Sequence, residues 1–295
     1  MATFGDMVFQ LGGMPVGVNQ DISGSTYFVD GNSGSDSNDG KSWKAAFASL
    51  KYAALKSHTD IARGSDRWAR RNTIYIAGDS FEENLVAFPQ KTDIIGVGSY
   101  NGYPKPNILG NHVIANAAMG TRFFNVGFEP VTATDIMQVK GDQWGASFIG
   151  CTFRALGTLT AISAIQATAC NAMQILKCDF RGPFSGDVID ICAGNVNDTR
   201  IVGNYIIGGA NDGIVLSGVA TISDSRRGVI ADNYISVVAK TIDTRTVSVF
   251  DVINNKLISA QSLGGDSHVI DPTFAVGNLV TGADTSIGSP VWNVA

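Results

Sequence analysis

The second half of the chain alternates apolar and polar residues in short runs that recur every two to three dozen positions. Six runs share one frame and place equivalent residues at Cys151, Cys178, Asn204, Asn233, Asn255 and Asn278. An apolar residue stands two positions before and two positions after each of them. A period of two predicts a strand with one buried face, and a repeat of this length predicts one coil of a parallel β-solenoid per copy. The aligned asparagines predict an inward-facing ladder of amides.

Shorter runs of β-branched residues extend the same pattern upstream. The runs at 73–78, 93–98 and 107–111 end in Gly or Asn, as strands of early coils would, and a run at 136–139 fills the gap before the regular copies. A solenoid exposes a hydrophobic cross-section at its end and therefore needs a cap. The segment from Ala45 to Ala62 precedes these runs and has helix-like spacing of Leu50, Ala53, Ala54, Leu55 and Ile61. We expect this helix to form the N-terminal cap.

Three motifs carry a resemblance to a known superfamily. They are the segment 27–40 followed by Trp43 and the helix, Ile95–Tyr100, and Asn211–Ile214. Together they resemble right-handed parallel β-helix proteins of the pectate-lyase-like superfamily, over about Thr26 to Gly282. The resemblance implies an all-β fold, a right-handed parallel β-helix (solenoid) with an N-terminal capping helix and an extended N-terminal arm. We expect an arm at 1–25, an entry loop and capping helix at 26–72, the β-helix at 73–282 and a tail at 283–295.

Composition excludes several classes of protein. Charged residues make up 16% of the 295, and no apolar run is long enough to cross a membrane as a helix. The net charge of -5 opposes binding to nucleic acid, which needs a basic face. The four cysteines form no C-x-x-C pair, so we expect them to be reduced and buried. We expect no cofactor.

Catalysis on this fold requires paired carboxylates or a metal-assisted lyase site. The resemblance implies, for a pectin hydrolase, an Asn-x-Asp, an Asp-Asp pair, a Gly-His-Gly-like motif and an Arg-x-Lys motif on successive coils. Asn211-Asp212-Gly213 matches the first only loosely, and the others are missing. We therefore expect no catalytic site. If the chain is an enzyme, the candidates are Asp187, Asp190 and Asp212, because stacking of coils could bring Asp212 near the other two.

The loop from Asp30 to Gly40 contains the acidic groups that calcium prefers. Its candidate ligands are Asp30, Asp36 and Asp39. The loop lacks the distal Glu of an EF-hand, and Asx turns explain the same residues without an ion. We expect no bound metal.

The prediction of function rests mainly on the first 25 residues. They show no basic segment followed by an apolar run, so we expect no secretory signal, assembly in a host cytoplasm and a location in the virion. Apolar side chains outside the coils need a partner to bury them, and these are Phe4, Met7, Phe9, Leu11 and Met14.

These observations predict a structural virion protein, a β-helical capsid decoration or small spike. The resemblance implies that it forms a homotrimer. It would dock on the major capsid protein or another virion protein and be able to contact host surface polysaccharide. Two alternatives stay open: a phage polysaccharide depolymerase with an intersubunit site, and a cell-surface adhesin. Neither the glycan nor the docking partner is specified by the sequence.

Overall fold

The computed structural model describes most of the repeat region and little of the two termini. The described residues are 9–11, 14–16, 24–63, 70–78, 80–85, 88–98, 106–114, 119–140, 143–156, 160–168, 170–191, 198–216, 228–243, 250–259, 269–270 and 274–282. Within them the chain forms a parallel β-solenoid with one α-helix, which confirms the expected fold class.

Three parallel sheets run along the solenoid, and each coil between Thr92 and Ile270 adds one strand to each in turn. Sheet 1 has ten strands: Thr26–Asp30, Asn72–Ala77, Thr92–Gly96, Arg122–Phe124, Ser147–Ile149, Gln174–Leu176, Arg200–Val202, Gly228–Ala231, Phe250–Ile253 and Phe274–Val276. Sheet 2 has nine: Ser80–Glu82, Asn107–Leu109, Gly127–Glu129, Thr152–Arg154, Asp179–Phe184, Tyr205–Gly209, Tyr234–Val237, Lys256–Ser259 and Leu279–Gly282. Sheet 3 has seven: His112–Ile114, Met137–Val139, Ile165–Ala167, Ile189–Ile191, Ile214–Leu216, Ile242–Asp243 and Val269–Ile270.

The described residues also form two smaller strand pairs. Gln143–Trp144 pairs in parallel with Cys170–Asn171 between sheets 3 and 1. Phe9–Leu11 and Met14–Val16 form an antiparallel pair near the N-terminus.

The core is a column of apolar side chains that stack from coil to coil. Alternation within each strand turns one set of residues inward, and these are almost fully buried. On sheet 2 the rings of Phe128, Phe153 and Phe180 stack in register, with centroids 5.1 and 5.0 Å apart. Phe148 of sheet 1 meets Phe153 edge to face at 5.6 Å, so aromatic packing joins the two sheets across the core.

The bend between sheets 1 and 2 has one conformation in seven coils. A single residue with φ between 52° and 69° precedes each turn into sheet 2, at Asn125, Gly150, Lys177, Gly203, Asp232, Asn254 and Gly277. This left-handed conformation favours Gly and tolerates Asn and Asp, which accounts for the Gly and Asn at this position in most copies. The bend fixes the register of everything that follows it.

The residue after the bend points inward and builds the ladder. Asn204, Asn233 and Asn255 are each 1–2% exposed, and Asn278 is half-buried at the last rung. The Oδ1 atom of each asparagine accepts the backbone N–H of the preceding rung, at 2.8 to 2.9 Å, beginning with Cys178 above Asn204. The predicted inward-facing ladder is therefore present.

Cysteines continue the column towards the N-terminus. Cys151 and Cys178 are buried, and each places its thiol against a backbone carbonyl one coil earlier, that of Phe123 at 3.5 Å and that of Phe148 at 3.3 Å. The side chains of the other two cysteines lie outside the described residues.

Helix α1, Leu50–Arg63, packs on the first strands of sheet 1 and buries Leu50, Ala53 and Ile61 against the end of the core. It begins five residues later than the sequence predicted, and Leu55 is 62% exposed rather than part of its packed face. The later start follows from Trp43–Ala45, which forms a separate 3-10 turn. Sheet 1 already begins at Thr26, so the helix lies between the first and second strands of this sheet in the order of the chain.

Two distant carboxylates cap the start of α1. Asp36 Oδ1 accepts the N–H groups of Ala48 and Ser49 at 3.0 and 2.9 Å. Glu83 accepts those of Leu50 and Lys51 at 3.0 and 2.6 Å. Negative charge at a helix N-terminus satisfies free donors and opposes the positive end of the dipole.

Candidate functional site

A column of polar residues lies in the turn that leads into sheet 3. It occupies the position two residues before successive strands, at Asp135, Ser163, Asp187, Asp212 and Lys240. Asp135 accepts the backbone N–H of Ser163 at 3.1 Å, Asp187 that of Asp212 at 3.2 Å, and Asp212 that of Lys240 at 2.8 Å. Each carboxylate therefore ties its own turn to the turn of the next coil.

The surroundings of Asp212 raise its pKa. Burial raises its pKa, and the nearby charges of Asp187 and Asp243 raise it further, against the lowering effect of Lys240. A carboxyl group that shares its surroundings with two others holds its proton to a higher pH than usual. Asp187, Asp212, Asp243 and Lys240 together are called the acid cluster below.

Asp190 lies on a different face from Asp187. It points outward from strand Ile189–Ile191 and aligns with Val215, which in turn aligns with Asp243. Two rungs separate Asp190 from Asp243, or about 9.6 Å along the sheet. Asp243 is only 1% exposed, with its Oδ2 atom 4.0 Å from Lys240 Nζ. A sugar could reach Asp190 but not Asp243.

The acid cluster contains carboxyl groups, as the active site of a glycosidase does, but here two of them bind the backbone. A retaining glycosidase holds its two carboxyl groups about 5–5.5 Å apart, and adjacent coils are about 4.8 Å apart. Asp187 and Asp212 occupy adjacent coils, so their turns lie at a similar separation. Both nevertheless hold a backbone N–H of the following turn, which restricts their movement.

The histidine of the described coils is not placed to serve as a base for a bound substrate. His112 faces the core with 0% exposure, and burial lowers its pKa to about 4. Its Nδ1 atom accepts the backbone N–H of Leu85 at 3.3 Å. His58 lies on α1, and His268 is outside the described residues.

Sheet 2 carries an outer ladder that sequence reasoning missed. The rings of Tyr205 and Tyr234 stack 4.8 Å apart, the Arg181 guanidinium lies over the first at 5.2 Å, and Lys256 Nζ lies over the second at 5.3 Å. Each ring thus has a tyrosine on one face and a cation on the other. A sugar could meet only the ring edges and hydroxyl groups. The Asn-Tyr-Ile triplets at 204–206 and 233–235 were the available signal.

The proposed calcium ligands make local hydrogen bonds. Asp30 Oδ1 accepts the N–H groups of Asn32 and Ser33, and Asp39 Oδ1 accepts that of Lys41. Asp36 caps helix α1. Among the described residues no group of three or more His, Cys, Asp or Glu side chains is arranged to hold a metal ion.

The N-terminal residues predicted to bind a partner are not placed by the structure. The side chains of Phe4, Met7, Phe9, Leu11 and Met14 lie outside the described residues. Where residues are described, the model contains no helix with the length and apolar character needed to span a bilayer.

No protein-family model matches the sequence, and no curated protein matches it either. Among solved structures, the crystal structure of pectate lyase Pel9A is similar at 13% identity with a TM-score of 0.44, over 92% of this chain and 80% of that one. The pectin methylesterase from Aspergillus niger, in deglycosylated form, is similar at 12% identity with a TM-score of 0.44, over 95% of this chain and 90% of that one.

Proposed function

We propose that this chain is a structural virion protein, a β-helical capsid decoration or small spike that docks through its N-terminal segment and presents its coils to the surroundings. The observation that carries the proposal is the use of polar side chains within the coils. The asparagines of the ladder bind the backbone of the preceding coil, and the aspartates of the sheet 3 turns bind that of the next coil. Such a chain is suited to act as a stiff, durable rod.

We assign attachment to the N-terminal arm, residues 1–25, because its apolar side chains, such as Phe4 and Leu11, need a partner to bury them. The test is to replace the natural gene with one lacking residues 2–23, purify the particles and probe them for the solenoid. This deletion keeps Ser25, whose N–H donates to Asn72 Oδ1 at 2.7 Å. A chain lacking residues 283–295 is the control.

The expected result is a truncated protein with an unchanged circular-dichroism spectrum that is absent from particles, while the control is incorporated. Normal incorporation of the chain without residues 2–23 would refute attachment through this segment. Absence of the full-length chain from purified particles would refute the virion role itself.

A second candidate function, cleavage of a polysaccharide, is favoured by the acid cluster. The raised pKa of Asp212 suits a general acid, and Asp187 on the adjacent coil supplies a second carboxyl group. Purified full-length protein should be incubated with capsular and lipopolysaccharide glycans and assayed for new reducing ends and unsaturated uronates. Cleavage that is lost in Asp212→Asn but kept in Asp179→Asn, on the outer face of sheet 2, would replace the structural proposal with the enzymatic one.

A further inference from the structure

The outer face of sheet 1 carries an unbroken row of apolar side chains. One outward position of every strand contributes, and adjacent members are paired in register from the first strand to the last. This apolar row consists of Phe28, Tyr75, Ile95, Phe124, Ile149, Leu176, Val202, Ala231, Ile253 and Val276. Such a surface is unusual on the outside of a coil, where polar residues are expected.

The row is accessible along its length. Apart from Ala231 at 8% and Val276 at 45%, its members are partly exposed. At the N-terminal end Trp43, itself 43% exposed, meets the Phe28 ring edge to face at 4.9 Å. The outer face of sheet 3 differs, since its corresponding positions include Gln138, Gln166 and Asp190.

Polar residues border the row on both sides. The other outward position of sheet 1 is charged at Asp93, Arg122, Arg200 and Asp251, and it is apolar at Val229 and Phe274. On the opposite side the left-handed bend contributes Asn125, Lys177, Asp232 and Asn254. An apolar centre with a polar rim is the anatomy of a protein–protein interface.

The geometry of the row identifies its occupant. Its ten rungs repeat about every 4.8 Å, over about 43 Å in all. Only a partner with the same repeat can place a side chain against every rung, and a second copy of this chain has that repeat. A stable interface buries about 800 Å² per partner, which this length reaches at a width of about 19 Å. Five residues of extended chain, about 17 Å, cover nearly that width.

We infer that copies of this chain associate through the apolar row. Side chains half-exposed in one copy become buried between copies, and the flanking charges stay at the rim. The inference concerns the coils alone and does not depend on a virion role.

Sedimentation velocity on the purified full-length chain, over a range of concentrations, tests the inference. The wild type should sediment as an oligomer of the 31.0 kDa chain. Val202→Glu, at the seventh of the ten rungs, should weaken association by about 100-fold or more, because a charge would be buried there. The matched control is Ile207→Glu, in the same coil and equally half-buried but on the outer face of sheet 2; it should associate like the wild type.

A milder variant covers the case in which Val202→Glu does not fold. Val202→Thr keeps the β-branched shape and should weaken association by roughly three- to tenfold, with an unchanged circular-dichroism spectrum. A wild type that sediments as a single chain at 100 μM or so would overturn the inference and leave the row to another protein. Equal association of the wild type and the two Val202 variants would also overturn it. Neither outcome bears on incorporation into particles.

Discussion

Asn233 accepts two hydrogen bonds from Asn204 on a single oxygen. Its Oδ1 atom receives the backbone N–H and the side-chain N–H of Asn204, each at an N···O distance of 2.9 Å. Asn255 does the same for Asn233, and Asn278 for Asn255. The second amide hydrogen of Asn233 goes to the carbonyl of Ile201 at 2.9 Å. The ladder is thus one connected network in which the buried amides are satisfied.

Replacing Asn233 with Leu should destabilise the fold by about 1–3 kcal/mol. The change removes the acceptor of two N–H groups of Asn204 and the side-chain N–H groups that reach Asn255 Oδ1 and the carbonyl of Ile201, all of them buried. Denaturant titration monitored by circular dichroism measures the loss. Asn278→Leu, at the half-buried last rung, is the control and should cost less because water can replace its bonds. Equal costs at the two positions would contradict a buried network.

The left-handed bend should be measurable on its own at Gly150. Its φ is 60°, and a side chain built there would meet no atom within 4 Å. Gly150→Ala should therefore cost about 1 kcal/mol through backbone conformation alone. Gly150→Asn should cost clearly less, since Asn tolerates this region and stands at the same bend position in Asn125 and Asn254. Thermal unfolding of both variants is the measurement. Equal unfolding midpoints for Gly150→Ala and Gly150→Asn would contradict a cost that comes from backbone conformation.

Much of the solenoid could be predicted because its information is local and repeated. The alternation around Asn204, Asn233 and Asn255 defines the strand, its buried face and the ladder at once. The caps of α1 could not be found this way. Asp36 lies twelve residues before Ala48, the first N–H group that it accepts. Glu83 lies more than thirty residues after Leu50, whose N–H group it accepts. No sequence spacing encodes contacts between a helix and a later coil.

The acid cluster was predictable in part. The proximity of Asp187 and Asp212 could be predicted, because both precede strands of sheet 3 by two residues and the sequence pattern shows this register. Asp243 was missed because alternation places it on the outer face of its strand, yet it is 1% exposed. Burial of an outward residue depends on the surrounding chain, which periodicity does not describe.

Acidification should destabilise the protein through His112. Its pKa is about 4 in the folded state and about 6.5 in an unfolded chain. Between these values the unfolded state binds more protons, so stability falls as the pH falls from about 6.5 and levels off below about 4. The full effect is about 3 kcal/mol.

His112→Asn should reduce this pH dependence. The Asn side-chain oxygen can still accept the N–H of Leu85, but it cannot be protonated in this range. We expect lower stability than the wild type at pH 7, from the lost contact with Phe128, and a flatter profile between pH 6.5 and 4. His58→Asn on helix α1 is the control for loss of a histidine. A variant with the wild-type slope would assign the pH dependence to other groups.

Asp212→Asn should leave the folded protein at least as stable as the wild type at pH 7. Its raised pKa means that the folded state takes up a proton where an unfolded aspartate, with a pKa of about 3.9, is still ionised. The contribution of Asp212 to stability is therefore largest at low pH and declines as the pH rises from about 4 through the folded-state pKa. Asparagine keeps an acceptor for the N–H of Lys240 and removes the repulsion from Asp187 and Asp243. Because Asp212 is only half-buried, we expect a gain below about 1 kcal/mol at pH 7 and a weaker dependence on pH, both read from denaturant titrations at several pH values. A marked loss of stability at pH 7 would mean that the attraction between Asp212 and Lys240 outweighs the crowding of the carboxylates.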